Sequence, residues 1–193
     1  MALETQRVEL EKLGFKIVQQ TEDSLAATRK KWHWDCLFTR ISYVVFVYRV
    51  SRLTAERVES DRIRLVEEGK KLDTSFLPRG FQKGVAVLVL YVADEIDEAA
   101  RVLIETKPKV RFAFFYLPSA FDQKRQTAVY LKDNPIWGWL YYPKFRGTSL
   151  RLLSPIQHPG GEPVSLVGVG MTAFIAFILL VEFAVILRFY VFK

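Results

Sequence analysis

Two hydrophobic periods alternate along this chain, and each change of period marks the edge of an element. Leu3 to Leu13 (LETQRVELEKL) spaces Leu3, Val8, Leu10 and Leu13 among charged residues and stops at Gly14. That is the pattern of a short amphipathic helix with a glycine stop. Phe15–Gln20 and Ser24–Lys31 read as strands parted by the polar Thr21-Glu22-Asp23. Cys36–Val50 (CLFTRISYVVFVYRV) is dense in β-branched and aromatic residues and predicts a long strand. Its centre is apolar on both faces, which places it in the middle of a sheet.

The period then returns to helical. Leu53–Gly69 puts Val58, Arg62, Leu65 and Val66 at helix spacing, with Gly69 as the expected stop. Val85–Val92 (VAVLVLYV) predicts a second buried strand, and DEIDEAARVLIE predicts a helix opening at Asp94 with an acidic first turn. Val110–Leu117 and Thr127–Leu131 form a strand pair around a polar turn at Asp122–Arg125, and the chain beyond Pro135 reads as aromatic and irregular. The order αβββαβαββ implies an α+β fold, a central mixed β-sheet with flanking helices. Its strand–helix–strand unit between Val85 and Leu117 suits a parallel pair.

The last segment has a different character. Val164 to Phe192 is apolar except for Glu182 and Arg188, and about 20 apolar helical residues cross a bilayer core roughly 30 Å thick. The expected organisation is an α+β domain over 1–153, a Pro/Gly linker over 154–163 (SPIQHPGGEP) and a C-terminal transmembrane helix over 164–193. The N-terminal residues hold no continuous apolar run, so they do not read as a secretory signal. Lys144, Arg146 and Arg151 fall in a stretch without acidic residues before the span, the mark of a cytoplasmic flank. A single-pass, tail-anchored protein with its domain in the cytoplasm follows.

The first part of the order, αβββαβ over roughly the first 92 residues, resembles the core of the PD-(D/E)XK nuclease superfamily. That resemblance implies an acid on the second strand and a (D/E)-x-K on the third, holding a metal that activates water. Here the second strand is SLAATRKK, and Asp35-Cys36-Leu37 stands where the acid-x-lysine belongs. The expectation is a non-enzymatic domain.

Composition narrows the remaining chemistry. A single cysteine, Cys36, excludes an intramolecular disulfide and suits a reducing compartment. His33 and Cys36 have metal-ligand spacing, but the only other histidine is His158 and there is no second thiol, so neither metal nor cofactor is expected. The net charge of +7 is spread along the chain. In SFLPRGFQKGVAV, Arg79, Gly80, Lys83 and Gly84 stand just before a buried strand, where a glycine-rich loop can cradle an anion such as a nucleotide or remain a solvated connector. Arg29-Lys30-Lys31 precedes Trp32 and Trp34. Basic residues among aromatics suit single-stranded nucleic acid, but they equally suit bilayer headgroups. Beside a membrane span the bilayer is the simpler partner, and nucleic acid is not expected.

Trp137, Trp139, Tyr141, Tyr142, Lys144 and Arg146 make a second such run, readable as a packed aromatic corner, an interfacial ledge or a ligand pocket. In the span, Gly168, Thr172 and Ala176 form a small-residue stripe, and Glu182 lies about 40° from it on a helical wheel. Small residues let membrane helices approach closely, and ionisable groups in a span usually face protein or water. The predicted function is a binding and assembly module tied to the bilayer, its span contacting a second copy or a partner helix. The alternative is a tethered sensor of an anionic ligand.

Overall fold

The computed structural model describes residues 2–33, 39–72, 83–106, 114–135 and 141–157. The chain separates into Met1–Pro163 and Val164–Lys193. The expected span, with Gly168, Thr172, Ala176 and Glu182, lies outside the described residues, as do Arg79, Gly80, Trp137 and Trp139. Among the described residues no helix is long and apolar enough to cross a membrane.

The elements run α1 (Ala2–Lys12), β1 (Lys16–Gln20), β2 (Ser24–His33), β3 (Thr39–Leu53), α2 (Ala55–Leu72), β4 (Lys83–Ile96), α3 (Glu98–Glu105), β5 (Phe114–Asp122), β6 (Thr127–Tyr130) and α4 (Tyr142–Gln157). One six-stranded sheet holds all strands in sequence order, β1-β2-β3-β4-β5-β6. β1, β2 and β3 are antiparallel neighbours, while β3, β4 and β5 run parallel and β6 turns back antiparallel. The α+β class and mixed sheet agree with the sequence pattern. A second parallel pair, β3 with β4 across α2, goes beyond it.

Strand alternation sorts side chains onto two cores. Leu25, Ala27, Tyr43, Val45, Leu88 and Phe121 pack beneath α1 and α4 through Leu10, Phe145 and Leu152. Val44, Phe46, Val87, Tyr91 and Ala120 pack beneath α2 and α3 through Val58, Leu65 and Ile104. β3 and β4 are covered on both faces, hence their near-continuous apolar sequence.

α1 ends as its sequence predicts. Gly14 adopts φ 77°, the Gly14 amide donates to the Glu11 carbonyl, and the Phe15 amide donates to the Leu10 carbonyl. This pair of bonds is a Schellman motif, and Leu10 and Phe15 supply its hydrophobic contact in the core.

Four expectations are corrected. Gly69 does not stop α2, which continues to Leu72; a Cβ at position 69 would lie 2.5 Å from Val87 Cγ2, so the glycine lets helix and sheet touch. Arg62 is not on the buried stripe of α2, and Asp61 is, because Arg62 turns out to pair with Glu59. α3 starts at Glu98, not Asp94, since β4 stays paired with β3 as far as Ile96.

The stretch after Pro135 contains a helix absent from the predicted order, and it runs four residues into the expected linker. Pro143 falls in its first turn, where the amide has no intrahelical partner to lose. Tyr142, Phe145, Leu152 and Leu153 are buried. At about 1.5–3 kcal/mol per buried large side chain, they outweigh the roughly 1 kcal/mol cost of Gly147 in a helix.

Candidate functional site

The basic run on β2 is divided by the pleat. Leu25 and Ala27 belong to the α1/α4 face and Ala26 to the α2/α3 face. Successive side chains alternate, so Arg29, Lys31 and His33 follow the first set, while Lys30 and Trp32 follow the second. Arg29 is structural: its guanidinium lies 4.6 Å from the Phe15 ring centre and 5.2 Å from that of Tyr43, and its Nη1 donates to the Leu13 carbonyl. Burial pulls its pKa down, the cost of seating a guanidinium between two rings.

The α2/α3 face carries a row across three strands at one end of the sheet. Trp32 pairs with Arg40, and Arg40 with Lys83; one step inward Lys30 pairs with Ser42, and Ser42 with Val85. The Arg40 guanidinium stands 5.8 Å over the Trp32 ring, a cation–π contact that holds both while Trp32 stays 44% exposed. Lys83 and Gly84, from the predicted anion loop, are the first two residues of β4 and both are buried. Lys83 therefore lies in the row beside Arg40, and Gly84 faces the opposite core.

On the other face of the same sheet end, His33 Nε2 and the Tyr43 hydroxyl are 2.9 Å apart, and Lys144 Nζ of α4 lies 3.4 Å from His33 Nδ1. His33 thus sits between the Tyr43 hydroxyl and the Lys144 side chain, within reach of both through its two ring nitrogens. Tyr141 and Tyr142 enter an aromatic cluster, with ring centres 5.3 and 5.9 Å from Phe115 and 6.2 and 6.0 Å from Phe145. Burial pushes the Tyr142 hydroxyl up to about 12. Arg146 ties α4 to the segment after β6 through the Leu131 carbonyl at 3.4 Å, Asn134 Oδ1 at 3.1 Å and the Lys132 carbonyl. Thus Lys30, Trp32, Arg40, Lys83, His33 and Lys144 share one end of the sheet, and Arg146 serves the fold.

Sequence reasoning missed a polar cluster on α2. Asp61 is buried and accepts from Arg57 Nε at 2.9 Å, Arg64 Nη2 at 2.7 Å and the Tyr91 hydroxyl at 3.1 Å. Desolvation alone would raise the Asp61 pKa, but the hydrogen bonds and charges of Arg64 and Arg57 win and hold it below the ordinary carboxylate value. Burial drives Tyr91 and the neighbouring Tyr116 hydroxyl upward. The available signal was spacing: Asp61 sits on the stripe of Val58, Leu65 and Gly69, with arginines three and four residues away.

Carboxylates at the opposite sheet end are ion-paired: Glu95 with Lys124 at 3.1 Å, Asp97 with Arg52 at 2.8 Å and Asp122 with Arg101 at 2.9 Å. Among the described residues no group of three His, Cys, Asp or Glu is placed to hold a metal ion. β2 and β3 carry no carboxylate at all, so the acids that the nuclease resemblance asks for are missing from both strands; Asp35 lies outside the described residues. No protein-family model matches this chain, and it has no match among curated proteins.

Proposed function

We propose that this protein is a binding and assembly module tethered to a membrane by the apolar segment 164–192, with a cationic sheet end that engages anionic groups at the bilayer surface. The observation that carries the reading is the Trp32–Arg40 pair with Lys30 beside it, at the sheet end where Lys83 lies buried. It joins positive charge to an exposed indole, the pair of chemistries that settles at headgroup level. Whole-chain charge supports it: the two acids and two bases after residue 157 cancel, so the net +7 belongs to residues 1–157.

The test compares full-length protein in nanodiscs of neutral lipid with nanodiscs containing anionic lipid. Hydrogen exchange across the outer ends of β2 and β3 should slow on the anionic surface, and Lys30→Glu with Arg40→Glu should abolish the difference. Equal exchange on both surfaces would count against a headgroup contact. A free anionic nucleotide is the second reading, and it rests on the sequence alone: Arg79, Gly80, Lys83 and Gly84 precede or open β4, and of these Lys83 and Gly84 are buried in the strand. It predicts thermal stabilisation by nucleotide without any lipid dependence.

A further inference from the structure

At the other end of β3, the β1–β2 hairpin and α2 enclose a crevice of about 110 Å³, with Gln19, Ser24, Tyr48, Arg64 and Glu68 as its polar lining and Leu25 among its apolar residues. Arg64 is held from behind. Its Nη2 donates to Asp61 at 2.7 Å and to the Tyr48 hydroxyl at 3.3 Å, and its guanidinium stands 5.6 Å over the Tyr48 ring. That ring is clamped in turn between Phe46 and Tyr91, with centres 6.4 and 6.0 Å away. A guanidinium immobilised in this way has already lost its rotamer freedom and can bind without losing it again.

Its Nη1 lies 3.6 Å from Glu68 Oε2, close enough for charge attraction and too long for a hydrogen bond. The pair is loosely closed, and both side chains reach solvent, Arg64 at 52% and Glu68 at 34% exposure. A lone anion entering here meets the Glu68 carboxylate, and a lone cation meets Arg64. A ligand carrying both charges satisfies both. Size sets the other limit: a cavity of roughly 150 Å³ holds benzene, with its six heavy atoms, so one of about 110 Å³ takes about four or five.

From this geometry we infer that the crevice binds a small zwitterionic amino acid, its carboxylate on Arg64 and its ammonium on Glu68. Ser24 and Gln19 add neutral hydrogen-bonding groups to the lining. The site sits at the opposite end of β3 from Trp32 and Arg40, so its fate is independent of the membrane reading.

Isothermal titration of full-length protein in detergent with glycine, L-alanine, acetate and methylammonium tests it. Glycine should bind with a Kd on the order of 1 mM, more tightly than the larger L-alanine and at least roughly tenfold more tightly than acetate or methylammonium, as expected when one charge-assisted hydrogen bond is lost. Glu68→Gln, at a partly exposed position, should keep the melting temperature and weaken glycine by about the same factor. Gln19→Ala, on the exposed hairpin, is a second variant expected to weaken glycine without altering the fold. No saturable binding of either amino acid, acetate matching glycine, or glycine affinity unmoved by Glu68→Gln would each overturn the inference.

Discussion

Asp61 is the residue whose charge the fold depends on most visibly, since a carboxylate on the buried stripe of α2 persists only by collecting donors. Arg57, Arg64 and Tyr91 supply three, and they set a pH dependence. The folded pKa lies below the ordinary 3.8, so the stabilisation is complete above that value and is lost as pH falls through the lower folded one. Asp61→Asn should cost about 1–3 kcal/mol at neutral pH, and the gap to wild type should narrow at pH 3. Thermal unfolding at both pH values measures it; a gap of equal size would mean that the carboxylate is not charged in the fold. Tyrosines give the alkaline counterpart. Burial raises Tyr48, Tyr91 and Tyr116, and raises Tyr142 to about 12. A raised hydroxyl pKa stabilises fully below the unfolded value of about 10 and loses that contribution as pH climbs through the folded value. In an alkaline titration the tyrosinate absorbance of these four should therefore appear together with loss of circular dichroism. Smooth ionisation of all tyrosines near pH 10 in folded protein would contradict their burial.

Elements were legible where one signal acted alone and obscured where two competed. The buried strands and the glycine stop of α1 follow directly from pattern, because central strands must be apolar on both faces and φ > 0 favours glycine. Competing signals explain the errors. Asp94, Glu95 and Asp97 resemble an acidic helix turn, yet pairing with β3 keeps the first two in β4, and Asp97 stands at the N-cap position of α3 with its carboxylate turned to Arg52 instead of to the helix amides. Pro143 and Gly147 disguised α4, whose stability comes from packing that local propensity does not report. The row of Lys30, Trp32, Arg40 and Lys83 was half legible: the basic and aromatic residues of β2 stood out, but Arg40 and Lys83 join them only through cross-strand register. Gly69 gives the test of this tertiary override. Alanine normally improves a helix interior by about 1 kcal/mol over glycine, but here its Cβ would meet Val87 Cγ2 at 2.5 Å in a covered sheet. Gly69→Ala should destabilise by about 1–3 kcal/mol, and adding Val87→Ala should recover part of the loss relative to Val87→Ala alone. Additive melting-temperature shifts in this double-mutant cycle would show that the two positions do not touch.

At the scale of the whole molecule, the proposed tether raises the question of what the segment 164–192 would contribute besides attachment. A simple tether needs only apolar residues, and Glu182 is costly in hydrocarbon at about 2.5–3.5 kcal/mol for a charged group near the centre of a span. That cost falls when the carboxyl is protonated or faces another helix. In a helical span, the spacing of Gly168, Thr172 and Ala176 would set small residues on one stripe beside it, as such a contact requires. If the segment spans as a helix, its small residues and acid suit pairing, and on the proposed reading each paired chain would carry its own cationic sheet end to the membrane. Linked sites bind a surface more tightly than either alone, because the second contact becomes intramolecular. Assembly and surface binding should therefore be coupled. Gly168→Leu with Glu182→Leu should reduce the oligomer seen by light scattering in detergent and, in the same protein, weaken the exchange protection of β2 and β3 on anionic nanodiscs. A variant of unchanged oligomer size would remove the span from the assembly account; a monomeric variant with undiminished protection would show that each cationic end binds the surface unaided.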